Sequence, residues 1–404
     1  MQFLRREGSE LMAPLDGRKV IAVFAPSYPP AFLGGGPARS VEALVGAAGA
    51  QYDIAVLAPD HDLGVREPLA VVSNRWISRD DVKVMYVSPS IRHILLGLIA
   101  ARRRAPSILY FNSFFNPVFS ILPQVLWRFG FWGRPVRLMA PRGEMGRGAL
   151  GRRNLKKPLY MGLFRLLRLH RELVWHASSR DEAEDIRRHW GDDADIVIRE
   201  NETKLPEIAS IPRPAPRGSP VRLVYLARIV EHKGLAIALE ALSSCTVQVI
   251  FDILGSVEDP GYAARCRAAA AALPANVNAT FWGPADPESI RGILENRDIL
   301  LMPTSGENFA HAIAEALSAS CVVIASQTTP WTKTLTAGGG YAVTERTVEA
   351  WERALSAFVN LDAESLLQAR LGAMRAYNSW RSKPQEMHVF DQVSLKRAQD
   401  VSGE

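Results

Sequence analysis

The sequence predicts an α/β protein built from two doubly wound parallel-sheet domains, on three observations. Short apolar runs bounded by turn residues alternate with helix-length segments along most of the 404 residues, the pattern of a parallel sheet with helices on its faces. Five prolines fall in the fifteen residues from Pro206 to Pro220, which neither a helix nor a central strand accommodates. The length leaves about 200 residues on each side of that stretch, enough for two separate cores. The expected organisation is a first domain over 1–205, a linker over 206–220, a second domain over 221–380 and a tail over 381–404.

In chain order, Lys19–Ala25 reads as a first buried strand. The loop Pro26–Gly36 follows and ends in Gly34, Gly35 and Gly36, just before Pro37. A glycine-rich loop after a first strand lets backbone amides approach a phosphate or a sugar closely. A helix is expected from Ala38 towards Ala50. Strands at Asp53–Leu57, Val82–Val87, Ile108–Phe111 and Val136–Ala140 alternate with a helix ending near Arg104 and another starting at Pro117. From Leu155 to Arg171 a helix is expected whose broad apolar face carries Leu159, Leu163, Leu166, Leu167 and aromatic side chains, with Lys and Arg elsewhere. Leu173–Ala177, a helix over 181–190 and Asp195–Arg199 complete the first half.

The second half opens on the strand Arg222–Ala227. Arg228 ends it and Lys233-Gly234 begin the next helix, so two cations stand at a strand's carboxyl end, where they can neutralise a diphosphate. Val247–Leu254 with Gly255 repeats the strand-to-glycine turn. A helix near Tyr262–Leu273 and a strand closing at Phe281-Trp282-Gly283 follow. Helices Val348–Phe358 and Ala363–Trp380 come last.

Between these lies the most organised unit: a strand at Asp298–Met302, a turn at Pro303–Gly306, an Ala-rich helix to about Ser318 and a strand at Cys321–Ala325. Glu307 is expected at the helix entrance and Glu315 eight residues on, roughly 12 Å along the axis. Free amides of Asn308, Phe309 and Ala310 would face an anion at the helix start. A diphosphate there would leave one carboxylate near each end, and a carboxylate accepts hydrogen bonds from a vicinal diol. The same two residues also fit a plain helix, with Glu307 favouring the dipole and Glu315 in solvent.

Composition narrows the setting. Apolar residues make up 48% and charged residues 22%, an ordinary globular balance. Cys245, Cys266 and Cys321 form no CxxC pair, which argues against a disulfide framework or a zinc site and for a reducing compartment. No apolar run reaches the length of a membrane span and the start lacks a signal-peptide core, so a cytoplasmic location is expected. The net charge of +6 is uneven, because 101–171 holds 15 basic residues against one acid, Glu144. With the amphipathic helix and the aromatics of Val125–Trp132, that bias points to an anionic membrane surface. The segment has no RNA-reading motif or zinc-finger spacing, so nucleic acid is not the expected partner.

The words Pro303–Phe309, Glu315-Ala316-Leu317 and Val322–Ser326 together resemble the donor-site segment of retaining glycosyltransferases of family 4, which carry two Glu separated by seven residues. Ala227-Arg228-Ile229 with Lys233-Gly234-Leu235 resembles that family's diphosphate-binding segment, and the Gly-Gly-Pro before Ser40 recurs in its first loop. The resemblance implies the GT-B architecture, two Rossmann-like domains facing each other across a cleft, with terminal helices returning to the first. It implies a nucleoside diphosphate sugar as donor, bound by Gly255, Gly306, Asn308, Phe309, Ala310 and Glu315. Arg228, Lys233 and Glu307 become the catalytic candidates, and Gly34, Gly35 and Gly36 the cleft loop. It also implies attack on the leaving-group face, with a donor phosphate oxygen taking the acceptor's proton.

No Asp-x-Asp motif stands at a strand end, so no metal or other cofactor is expected. The expected acceptor is a lipid-linked or polysaccharide glycan. Two departures are visible. Ala310 and Ser320 stand where such sequences commonly have Gly, and around Pro141–Met145, where many members place a cleft histidine, this chain has Arg142. These departures support an alternative, a non-catalytic peripheral membrane scaffold that keeps the fold.

Overall fold

The structure is a computed structural model that describes residues 17–49, 51–146, 156–216, 218–384 and 386–402. Ala50, Leu155 and the side chain of Lys156 lie outside the described residues, as does the beginning of the chain.

The first sheet comprises β1 (Val20–Phe24), β2 (Asp53–Pro59), β3 (Trp76–Arg79), β4 (Val82–Val87), β5 (Ile108–Asn112), β6 (Val136–Ala140), β7 (Leu173–Ala177) and β8 (Ile196–Ile198). Its order is β3-β4-β2-β1-β5-β6-β7-β8, with every neighbouring pair parallel except the edge hairpin β3–β4. The second sheet comprises β9 (Val221–Leu226), β10 (Val249–Leu254), β11 (Val277–Gly283), β12 (Ile299–Met302), β13 (Val322–Ser326) and β14 (Gly340–Val343). It runs β11-β10-β9-β12-β13-β14 and is parallel throughout. Every residue of β1, β2, β5, β7, β12 and β13 is buried, because helices cover both faces of each sheet.

In the first half the helices are α1 (Gly36–Ala48), α2 (Ile91–Arg103), α3 (Leu122–Arg128), α4 (Lys156–Leu166) and α5 (Arg180–Trp190). Those of the second are α6 (Leu235–Ala241), α7 (Pro260–Ala271), α8 (Pro287–Glu295), α9 (His311–Ser318), α10 (Val348–Val359), α11 (Ala363–Arg381) and α12 (Val389–Ser402). α1 starts two residues before the sequence expectation. Gly35 holds φ 66°, ψ −138°, a conformation reserved for glycine, and turns the chain into the helix at Gly36.

α2, α4 and α5 bury Leu98, Phe164, Ile186 and their neighbours on one face of the first sheet, while α1 and α12 cover the other. The single broad apolar face expected of α4 divides in two. Tyr160, Met161 and Phe164 face the core, whereas Leu159, Leu163 and Leu166 are exposed. At 100° per residue these are two different stripes of one helix.

α12 brings Val389, Phe390 and Val393 into the core of the first sheet. Phe390 meets Tyr52 and Tyr110 edge-on, at 5.7 and 5.6 Å between ring centroids. His388 Nε2 lies 3.1 Å from the Leu44 carbonyl oxygen. Just before it, α11 is tied to the segment that joins the sheets, since Tyr377 Oη donates to the Pro206 carbonyl at 2.5 Å and Trp380 Nε1 to Glu200 at 3.2 Å.

Candidate functional site

Each sheet has one place where strand order reverses, β1/β5 in the first and β9/β12 in the second. Open α/β sheets bind ligands in the crevice outside the carboxyl ends of the strands at such a point. The loops that leave β1, β9 and β12 are the ones the sequence singles out.

In the second sheet, the turn after β9 is laid directly on the loop after β12. Gly234 has φ 74°, and a Cβ on it would stand 2.1 Å from the Pro303 carbonyl oxygen, so only glycine permits this approach. Ser305 N donates to His232 O at 2.8 Å across the same seam. The result is a Lys233 Nζ–Glu307 Oε1 ion pair of 2.5 Å, with side chains only 14% and 11% exposed. Gly255 is equally constrained. Its N–H donates to Gly283 O at 2.8 Å, and an added Cβ would meet the Ala227 carbonyl oxygen at 1.9 Å. An added Cβ on Gly306 would meet nothing within 4 Å, so open space lies in front of that residue. Arg228 turns its guanidinium to Glu258, at the surface, and is not part of the Lys233–Glu307 pair.

The helix start differs from expectation. α9 begins at His311, not near Asn308, because Ala310 is left-handed at φ 63°, ψ 66°. Phe309 is buried against Trp331, whose indole Nε1 donates to the Phe309 carbonyl at 2.5 Å, and this anchor holds the turn open before the helix. The helix-start amides are therefore those of His311 and Ala312, and Ile313 N already donates to Ala310 O at 2.9 Å. Asn308, Phe309 and Ala310 form the preceding turn, and Glu307 lies off the helix. The axial separation derived for two glutamates on one helix does not apply. Ala310 and Ser320, the two residues standing in place of the family's glycines, both have positive φ, 63° and 56°. The backbone demand for glycine is present, and this chain meets it with small side chains.

From the first sheet, the loop 26–36 reaches the same place. Asp62 fixes it by accepting from Phe32 N at 2.8 Å and Leu33 N at 3.1 Å. A Cβ on Gly34 would strike Ser27 Oγ at 2.6 Å, and one on Gly36 would come within 3.2 Å of the His311 ring. On the first turn of α1, Arg39 forms an ion pair with Glu315 Oε1 across the cleft. Beside it Ser40 Oγ hydrogen-bonds His311 Nε2 at 2.7 Å, and farther along Ser178 Oγ meets Asn308 Oδ1 at 2.7 Å. Below, Arg142 at the end of β6 donates to Asn112 Oδ1 and Tyr110 Oη, each at 2.7 Å, and also to Asn201.

Electrostatics follow this geometry. Burial pushes the Glu315 carboxyl up, and Arg39 pulls it back down. Glu315 Oε2 is buried without a hydrogen-bond partner. Burial, helped by Arg39 and Arg142, depresses His311 to about 3, so its ring is neutral at ordinary pH. The sequence marks Ser40 only as the residue that follows the Gly-Gly-Pro, and it assigns no role to Arg39, Ser178 or His311. For Arg39, Ser40 and His311 the signal was position alone, at the starts of the helices that follow the glycine loop and the Glu307 turn, whereas Ser178, just after β7, carried none. Taken together, the site offers two carboxylates, each held by one cation, at the meeting of two sheet crevices.

The family model for Glycosyl transferases group 1 matches residues 209–373. No curated protein sequence matches the chain. Among solved structures, a sucrose-phosphate synthase from Thermosynechococcus elongatus is 15% identical with a TM-score of 0.68, over 95% of this chain and 100% of that one. Anabaena HepE, solved with UDP and glucose, is 13% identical with a TM-score of 0.64, over 96% and 100%. WaaG, a glycosyltransferase involved in lipopolysaccharide biosynthesis, is 12% identical with a TM-score of 0.59, over 93% and 98%. At such identities the likeness is one of fold. The chain therefore has the GT-B fold of these structures, and its residues 209–373 are similar to the Glycosyl transferases group 1 family.

Proposed function

We propose that the protein is a retaining glycosyltransferase that moves a sugar from a nucleoside diphosphate sugar to a lipid-linked or polysaccharide acceptor. The observation that carries this is the Lys233–Glu307 pair at the β9/β12 reversal, facing the open space at Gly306. As the anomeric C–O bond breaks, negative charge grows on the leaving diphosphate, and a fixed cation beside it lowers that barrier. Lys233 supplies the cation and Arg228 a second one, released from Glu258, in the role a metal takes elsewhere. Glu307 receives hydroxyls of the transferred sugar and Glu315 those of the ribose. The acceptor oxygen bonds to the anomeric carbon on the face the diphosphate leaves, and its proton passes to a phosphate oxygen.

HepE's structure with UDP and glucose makes UDP-glucose the first donor to assay. Thermal-shift screening of UDP- and GDP-sugars finds the donor by stabilisation. NMR of the new linkage then reads its configuration. An inverted anomeric centre refutes retention. Stabilisation by no nucleotide sugar, with no transfer, refutes the enzyme and favours the scaffold alternative.

We infer further that the first half rests on anionic lipid. Ile91, Leu95, Leu96 and Ile99 on α2, Phe129 after α3, and Leu159, Leu163 and Leu166 on α4 are all exposed. All three segments lie on the α2–α5 side of the first sheet, where Arg102, Arg103, Arg128, Arg165 and Arg168 are exposed. Glu144, the one acid of 101–171, does not offset them. It is half-buried, accepting from Phe114 N at 2.6 Å and Ser113 Oγ at 2.8 Å. Arg165 lies over the Trp190 ring and is partly committed to the protein. No helix of the described residues is long and apolar enough to cross a membrane. Vesicle co-sedimentation that needs acidic lipid and weakens with salt supports surface attachment. Equal binding to neutral vesicles, or none, removes it.

A further inference from the structure

We propose that Arg39 is a positioning residue for the nucleoside end of the donor: from the first sheet's α1 it holds Glu315 of the second sheet's α9 as a carboxylate, with one oxygen turned free for the ribose hydroxyls. This rests on the proposed function, and it adds that nucleotide affinity is set by both halves of the protein. Three observations carry it. Arg39 Nη1 engages Glu315 Oε1 alone, and Oε2 is buried with no partner, an acceptor with its lone pairs unspent. Ser40 Oγ, the next residue on α1, bonds His311 Nε2 at 2.7 Å, one turn before Glu315, so α1 grips α9 at two successive points. Gly36 brings the start of α1 close against the His311 ring, since an added Cβ would stand 3.2 Å from it.

A half-buried carboxylate without a counter-ion tends to take up a proton, and a protonated one loses acceptor capacity towards a diol. Arg39 opposes this. The other charged or titratable groups nearby are His311 on α9 itself and Arg142 from β6. His311 titrates at about 3, outside the working range, and Arg142 acts on His311. Removing Arg39 therefore produces a loss of nucleotide binding that is largest at low pH and shrinks as pH rises and Glu315 ionises.

The test is calorimetry on the full chain from pH 6 to pH 9, with UDP and GDP as probes and the 2′,3′-dideoxy form of whichever binds. Arg39→Ala is expected to weaken nucleoside diphosphate binding roughly tenfold or more at pH 6, the scale of one charge-assisted hydrogen bond. The deficit narrows towards pH 9, Arg39→Lys recovers most of it, and the dideoxy probe binds parent and variant alike. An equal loss with the dideoxy probe means that Arg39 acts on the phosphates, and overturns the proposal. So does an unchanged affinity, or a deficit that is flat with pH. Should Arg39→Ala lack a cooperative melting transition, Arg39→Gln, which keeps the stem, is read by the same outcomes. A parent that binds neither UDP nor GDP refutes the donor site itself. A parent that binds one while Arg39→Ala matches it refutes only the role of Arg39.

Discussion

Replacing Lys233 by alanine removes the cation that Glu307 Oε1 holds at 2.5 Å, in a place where the carboxylate's side chain is 11% exposed. Breaking one side of a fully buried pair costs about 3–5 kcal/mol, and of an exposed pair about 0–1. This pair lies at a cleft, between those limits, so about 1–3 kcal/mol is expected, a fall of several degrees in melting temperature. The kinetic effect is larger. A preorganised donor aimed at developing charge is worth about 10²–10³ in kcat, or about 3–4 kcal/mol. The double variant Lys233→Ala, Glu307→Gln separates the two effects. With the orphaned charge gone, it should recover about 1–2 kcal/mol of stability over Lys233→Ala, while transfer stays at least a hundredfold below the parent. Melting curves beside a donor-saturated transfer assay measure both. Parental turnover in Lys233→Ala would refute leaving-group stabilisation by this residue. Recovery of transfer in the double variant would reduce Lys233 to a partner of Glu307.

Three more outcomes are expected. Glu315→Gln should weaken nucleoside diphosphate binding by about 1.5–3 kcal/mol, whereas Glu307→Gln should leave it nearly intact and reduce transfer; calorimetry beside the transfer assay checks the split, and the reverse pattern exchanges their roles. Gly255→Ala must force the backbone away from the Ala227 carbonyl and should cost about 3–5 kcal/mol, while Gly306→Ala should melt like the parent yet transfer poorly, because its methyl would enter space assigned to the donor. His311 is held at about 3, below the unfolded value of about 6.5, so its contribution to stability is complete above pH 6.5 and is lost as pH falls towards 3. His176, buried and also depressed, acts in the same sense, so His311→Gln should flatten only part of the decline in melting temperature between pH 7 and pH 5. A variant that declines as steeply as the parent would contradict the burial of His311 as a neutral ring.

Much of the fold was legible because parallel strands buried on both faces are plain apolar runs. Val82–Val87, Val136–Ala140 and Leu173–Ala177 emerge with the bounds the sequence suggests. β3 was not legible, since Trp76–Arg79 is short, half-exposed and strand-like only through its partner β4. The start of α9 was misplaced for a tertiary reason. Nothing local to Ala310 demands a left-handed residue, and the demand comes from Phe309, anchored to Trp331 more than twenty residues away. Periodicity placed apolar residues on α4 but could not say which of two stripes the sheet covers. The pairing of Lys233 with Glu307 was within reach only as two residues marked separately. That of Arg39 with Glu315 was not, for it joins residues 276 apart in sequence.

The docking of α12 on the first sheet bears on how such chains can be recombined. By strand content alone a cut at 206–220 yields two interchangeable cassettes, yet the cassette upstream would carry Tyr52 and Tyr110 with the Phe390 contact missing. Exchange of the second sheet between relatives therefore needs two crossovers, one in the proline-rich segment and one between Arg381 and His388, so that α12 stays with the sheet it covers. A single-crossover chimera would join a first sheet to a foreign closing helix. Any shift in donor preference measured on such a hybrid would be confounded by a defect in the core of its other half.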